Sequence, residues 1–168
     1  MLTLYPSWGH ADLGIRSKYI LLAEDNPADV ELVRVALEDR SVDCGLHVVS
    51  DGAQAIAFIE RVDGNSAVPC PSLLLLDLHL PKRTGAEILR CLRASERCGQ
   101  TPVVVLTSSD SPRDEEDATR HAALHYFRKP SVLDEFLTLG DIVSDIIGRG
   151  GVGSATKAVS QTGKAIAE

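Results

Sequence analysis

The sequence predicts a doubly wound α/β domain: a parallel five-stranded sheet with helices on both faces. Three observations predict it. Five short apolar stretches alternate with five helical patterns along the chain. The strand-like stretches are apolar throughout, as in sheets covered on both sides. And 168 residues suffice for one sizeable core with some chain to spare at the ends.

The first strand is YILLA, Tyr19–Ala23. A helix follows over Pro27–Asp39, with Asn26 as its N-cap, Pro27 at its first position, and Val30, Val33 and Leu37 on one face. LHVV, Leu46–Val49, reads as the second strand, and Gly52–Val62 as a helix turning Ala55, Ile56 and Ile59 inward. Residues 63–71 are rich in turn formers and read as a loop. Leu73–Leu76 is the third strand, and Gly85–Ser95 a helix with Ile88, Leu89 and Leu92 on its apolar face. PVVVL, Pro102–Leu106, is the fourth strand, followed by a polar helix over Pro112–Ala122 and a short fifth strand, Leu124–Arg128. One last helix is expected over Val132–Ile147, with Leu133, Phe136, Leu137, Val143, Ile146 and Ile147 at helical spacing. Residues 1–17 then form an N-terminal extension, 18–147 the domain, and 148–168 a mobile tail rich in Gly, Ser, Thr and Ala. The tail fragment GSATK lacks both the spacing and the preceding strand of a phosphate loop.

Composition excludes several classes. A net charge of −7 argues against a nucleic-acid partner, which needs a basic face. No apolar run approaches the ~20 residues that cross a bilayer, and the N-terminus lacks the basic start and apolar core of a secretory signal. A cytoplasmic protein without membrane attachment is expected. Cys44, Cys70, Cys91 and Cys98 have no C-x-x-C spacing, so four small buried or half-buried thiols are expected.

The run LLLLDLHLPKRTG sets Asp77 behind four leucines. Burying a lone carboxylate is costly, so the acid needs charged partners. In a doubly wound sheet ligands bind beyond the carboxyl ends of the strands. Those ends supply Glu24, Asp25 and Asn26, then Asp77, then Thr107, Ser108 and Ser109, and finally Lys129 before Pro130. Three clustered acids need a cation, and an all-oxygen set points to Mg²⁺ sharing its site with a phosphate. A carboxylate beside Mg²⁺ can attack a phosphoryl group, with Lys129 and the Thr107 hydroxyl meeting its oxygens. Singly, each residue has a plainer reading: Asp77 as a turn residue, Glu24 and Asp25 as helix caps, Thr107 as a cap, Lys129 as a solvated loop residue. Their joint placement favours the site. His121 and His125 flank a helix end without an acidic third ligand and read as surface histidines.

ILLAEDNPAD, LLLLDLHLPKRTG, VVVLTSS and YFRKP, in that order, resemble the response-regulator receiver domain of two-component signalling, over roughly residues 18–147. EDNPAD, the long loop before the third strand and VVVLTSS are most similar to short stand-alone regulators paired with bacterial phytochrome-type histidine kinases. The resemblance implies the flavodoxin-like strand order 2-1-3-4-5. It implies Asp77 as phosphoacceptor, with Glu24, Asp25, Asp77 and the His79 backbone carbonyl around Mg²⁺. Thr107 and Tyr126 become switch residues, Lys129 the partner of the phosphoryl group, and the Lys129–Pro130 peptide cis. His79 and Ser109 take the two positions that tune dephosphorylation. Two departures stand out: His79 where Asn is common, and Ala122-Ala123 where Gly-Ala is frequent.

The leading expectation is a phosphorylation-driven switch. A sensor histidine kinase donates the group, and the face built from the fourth helix, fifth strand and last helix binds a downstream protein, or a second copy of the chain through an apolar patch including Phe136. The alternatives are an aspartate-nucleophile phosphatase, disfavoured by His79 in place of a second Asp and by the lack of a cap insertion, and a phosphorylation-independent adaptor.

Overall fold

The computed structural model describes residues 18–109 and 111–148; the expected N-terminal extension and all of the tail but Gly148 lie outside them. The elements are β1 Tyr19–Ala23, α1 Pro27–Asp39, β2 Gly45–Val49, α2 Gly52–Asp63, β3 Leu73–Asp77, α3 Gly85–Ala94, β4 Val103–Thr107, α4 Pro112–Arg120, β5 His125–Arg128, α5 Leu133–Phe136 and α6 Thr138–Gly148. All strand pairs are parallel, and the order is β2-β1-β3-β4-β5, as expected. The winding reverses at β1, which opens the crevice beyond the ends of β1 and β3.

Alternation along the strands builds two cores. Leu21, Ala23, Leu74, Leu76, Val103 and Val105 pack on one face with Phe58, Ile59 and Val62 of α2 and Ile88, Leu89 and Leu92 of α3. Ile20, Leu22, Leu73, Leu75, Val104 and Leu106 pack on the other with Val33, Ala36 and Leu37 of α1 and Leu139, Val143 and Ile147 of α6. With both faces covered, the inner strands β1, β3 and β4 run apolar up to the site, while the edge strands β2 and β5 carry His47, His125 and Arg128; each buried Leu or Val contributes about 1.5–3 kcal/mol.

The first helix begins where its cap dictates: Asn26 Oδ1 accepts from the Ala28 amide at 3.0 Å, and Pro27 opens the helix. Helix α6 lies close against α1. A Cβ at Gly140 would overlap the Ala36 carbonyl, and Arg40 clasps the Asp141 carboxylate with Nε at 2.5 Å and Nη2 at 3.1 Å.

Four expectations are corrected. The last helix is two, α5 and α6, joined at Leu137. There the Gly140 amide bonds back three residues to Leu137 and the Thr138 hydroxyl donates to the Glu135 carbonyl, which tightens the turn. Phe136 does not contribute to a surface patch: it is buried edge-on against Phe127, while Leu124, Val132 and Leu133 are the exposed apolar residues of that region. Cys70 and Cys98 form a disulfide, leaving Cys44 and Cys91 as thiols. Their spacing along the chain carries no signal; the loop before β3 and the turn after α3 bring them to a Cα separation of 5.4 Å, within the range a disulfide spans. Finally, the described residues contain no cis peptide, so Lys129–Pro130 is trans, the form X–Pro bonds favour by about 0.5–1 kcal/mol.

Candidate functional site

Sheet register brings the acids and the lysine together. Ala23 pairs with Leu76, so Glu24 follows β1 alongside Asp77, the last residue of β3. The Glu24 amide continues the ladder by donating to the Val49 carbonyl at 3.0 Å. On the far side, Asp77 pairs with Leu106 and Thr107 with Arg128, so Lys129 leaves β5 one residue beyond Thr107.

Asp77 is the acid behind the leucine run, and its carboxylate is partnered twice. Oδ1 accepts from the His79 amide at 2.8 Å, and Oδ2 accepts from Lys129 Nζ at 2.8 Å. The Lys129 side chain is only 9% exposed, and its ammonium also reaches Glu24 Oε2 at 2.6 Å and Asp29 Oδ2 at 2.8 Å. Burial alone would lower the ammonium's pKa, but the hydrogen bonds to Asp29, Asp77 and Glu24 carry it above the ordinary lysine value. Glu24 is the reverse case: its side chain is fully buried, and desolvation raises its carboxyl despite the bonds from Lys129 and from the Asn26 amide.

Glu24, Asp25 and Asp77 each offer an oxygen within 4.8 Å of the others, Asp25 from an exposed position. The three carboxylates of this trio outnumber the one ammonium that Glu24 and Asp77 share. This surplus of negative charge, presented by oxygen ligands alone, fits a hard divalent cation such as Mg²⁺.

The remaining expected residues line the same edge. Thr107 is fully buried at the end of β4, its Oγ1 accepting from the Ser109 amide at 3.0 Å, and Ser109 Oγ accepts from the Ser111 amide. The His79 imidazole is exposed, with Nδ1 3.9 Å from Asp77 Oδ1; its backbone amide is the group that touches the acid. Tyr126 stands half-buried opposite Val105, packed on the core layer of α2 and α3. Of the two histidines set aside, His125 lies exposed on β5, and the His121 carbonyl accepts from Arg93.

Asp29 was not foreseen. In the first turn of α1 it reads as an acid favoured by the helix dipole, and only the fold reveals that one turn of helix returns it to Lys129. The segment between β3 and α3 is also pinned. The Gly52 amide donates to the Pro81 carbonyl at 3.0 Å, and Lys82, at φ 70°, reaches Asp51 at 2.5 Å. A Cβ at Gly85 would collide with Leu78, so glycine is required there for α3 to start so close to Asp77.

The model of the response regulator receiver domain matches residues 20–139. The chain belongs to this family. As a receiver it is a signalling protein of the two-component type, a phosphoacceptor with an acidic metal-binding site. Response regulator Rcp1 of Synechocystis sp. is 39% identical over 108 residues, 64% of this chain and 71% of Rcp1. The Mn²⁺-bound form of Rcp1 superposes with a TM-score of 0.71 at 33% identity, covering 82% of this receiver and 99% of that chain. The phosphorylated cyanobacterial phytochrome response regulator RcpA gives 0.70 at 31% identity, covering 80% and 96%. No helix among the described residues is long and apolar enough to cross a membrane.

Proposed function

We propose that this receiver takes a phosphoryl group from a phytochrome-type sensor histidine kinase onto Asp77, in the cytoplasm, and relays the signal by changing its affinity for a downstream protein. The observation that carries the reading is the Asp77 carboxylate itself, held 2.8 Å from the Lys129 ammonium and within 4.8 Å of carboxylate oxygens of Glu24 and Asp25.

An Asp77 oxygen attacks the phosphorus of the kinase's phosphohistidine, the P–N bond breaks, and the imidazole leaves. Lys129 meets the non-bridging charge from a site where it stays protonated. The His79 amide fixes the other Asp77 oxygen and so aims the nucleophile. Glu24, Asp25, Asp77 and the His79 carbonyl would hold Mg²⁺, which when bound would neutralise the carboxylates and polarise the phosphoryl oxygens. The Thr107 hydroxyl, which accepts from the Ser109 amide, donates its proton to a phosphoryl oxygen, and Tyr126, half-buried on β5 opposite Val105, turns inward.

The surface that changes is formed by α4, β5 and the α5–α6 pair, where Leu124, Val132 and Leu133 are exposed; the downstream protein or a second copy of the chain docks there. The protein acts on no external substrate and catalyses only its own phosphorylation and dephosphorylation, the latter tuned by His79 and Ser109. The name of RcpA, a cyanobacterial phytochrome response regulator, supports the kinase class. Phosphotransfer profiling tests the reading: a panel of labelled histidine kinases, phytochrome-type included, is offered to the protein and to Asp77→Asn. Rapid transfer from a phytochrome-type kinase to the parent alone is expected. Transfer from none, or equal labelling of Asp77→Asn, contradicts it.

A further inference from the structure

The Lys129 ammonium has three N–H donors, and all three end on carboxylates of different residues: Glu24 at 2.6 Å, Asp29 at 2.8 Å and Asp77 at 2.8 Å. Two of these carboxylates are committed elsewhere. Glu24 and Asp77 belong, with Asp25, to the acid trio suited to a divalent cation, and Asp77 is also the nucleophile of the proposed reaction. Glu24 would turn to a cation bound there, and phosphorylation would alter Asp77. Asp29 stands outside the trio, so its bond to Lys129 need not change in either event.

We infer that Asp29 is a positioning residue: it is the anchor of the Lys129 ammonium that neither the metal nor the phosphoryl group claims, and it holds the ammonium in place as its other two bonds are exchanged. The inference rests on the reading of Asp77 as phosphoacceptor. Asp29 is rigid enough for the task, because it lies in the first turn of a helix capped by Asn26 and Pro27. Its side chain is 22% exposed, and Asp29→Asn keeps its volume, so the charge can be removed without opening a hole.

The sign of the effect separates positioning from plain charge. Removing a negative charge next to the site, by itself, attracts an anionic phosphodonor and speeds phosphorylation. Loss of an anchor slows it. With acetyl phosphate and Mg²⁺, Asp29→Ala and Asp29→Asn are expected to phosphorylate roughly tenfold more slowly, within the about hundredfold that a 1 Å misplacement can cost. Mn²⁺ affinity, measured calorimetrically with the metal alone, stays at the parent value, and Asp29→Glu recovers most of the rate. A second measurement needs no phosphorylation: in the presence of Mg²⁺, the ¹⁵Nζ ammonium signal of Lys129 is protected from solvent exchange in the parent and lost in Asp29→Ala. Variants as fast as the parent or faster, a Mn²⁺ affinity that falls in step with the rate, or an ammonium signal indifferent to Asp29 would each overturn the inference. If the parent takes up no phosphoryl group while its ammonium signal still depends on Asp29, the reading of Asp77 has failed and the positioning has not.

Discussion

The backbone amide of Lys129 donates to the carbonyl oxygen of Thr107 at 2.7 Å, one residue past the last β4–β5 pair. This bond extends the parallel ladder beyond the strand and delivers the lysine to the edge where Glu24 follows β1 and Asp77 ends β3. The site is therefore a property of the sheet: the backbone ladder places the charges, and the charges compensate one another.

That compensation predicts the behaviour of Lys129→Met. Removing the ammonium leaves the fully buried Glu24 side chain without its counter-charge, a change that costs about 3–5 kcal/mol when one member of a buried pair is lost. The deficit depends on pH. Glu24's carboxyl already lies above its ordinary 4.5 because of burial, and losing Lys129 raises it further. A carboxyl whose folded pKa exceeds its unfolded value contributes full stability only below the unfolded value and loses it as pH rises through the folded one. Urea unfolding should therefore show a deficit smallest near pH 4.5 and largest at neutral pH, partly recovered by added Mg²⁺. An equal deficit at both pH values would contradict this account.

The Cys70–Cys98 disulfide closes a loop with a sequence separation of 28. In the chain-entropy view a bridge of this span contributes about 3–4 kcal/mol. The loop keeps other ties: Arg97 donates to the carbonyls of Val62, Asn65 and Val68, and Asp63 accepts from Ser95 and the Arg97 amide. Reduction, or the Cys70→Ser/Cys98→Ser pair, should lower the urea midpoint while leaving the fold and divalent-cation affinity intact. Loss of cation binding on reduction would show that the bridge supports the site directly.

Ala122 sits at φ 54°, in the left-handed region where a side chain costs about 1–2 kcal/mol and glycine nearly nothing. This is the position where the family frequently has glycine. Ala122→Gly should be at least neutral and is expected to stabilise by about 1 kcal/mol, net of glycine's greater unfolded-state entropy. Thermal unfolding reads the change directly, and destabilisation would mean that the Ala122 methyl makes a contact outweighing the strain.

Much of this arrangement is legible in the sequence because local and global signals agree. Asn26-Pro27 fixes the start of α1 to the residue, and a sheet buried on both faces leaves continuous apolar runs whose ends are easy to mark. Asp77 could be read as exceptional because four leucines precede it. What escaped is what depends on distant chain. Asp29 is indistinguishable from an ordinary first-turn acid until β5 brings Lys129 to it. Cys70 and Cys98 meet only when two loops pack. Phe136 obeys the same helical spacing as its neighbours, and only the break at Leu137 and the ring of Phe127 decide that it points inward.

The most direct test uses a small phosphodonor and no kinase. Incubating the protein with acetyl phosphate and Mg²⁺, then weighing it intact and trapping the acyl phosphate with borohydride, should show one added phosphoryl group localised to Asp77, absent from Asp77→Asn and suppressed by a chelator. No gain in mass, or the same gain in Asp77→Asn, would contradict the account.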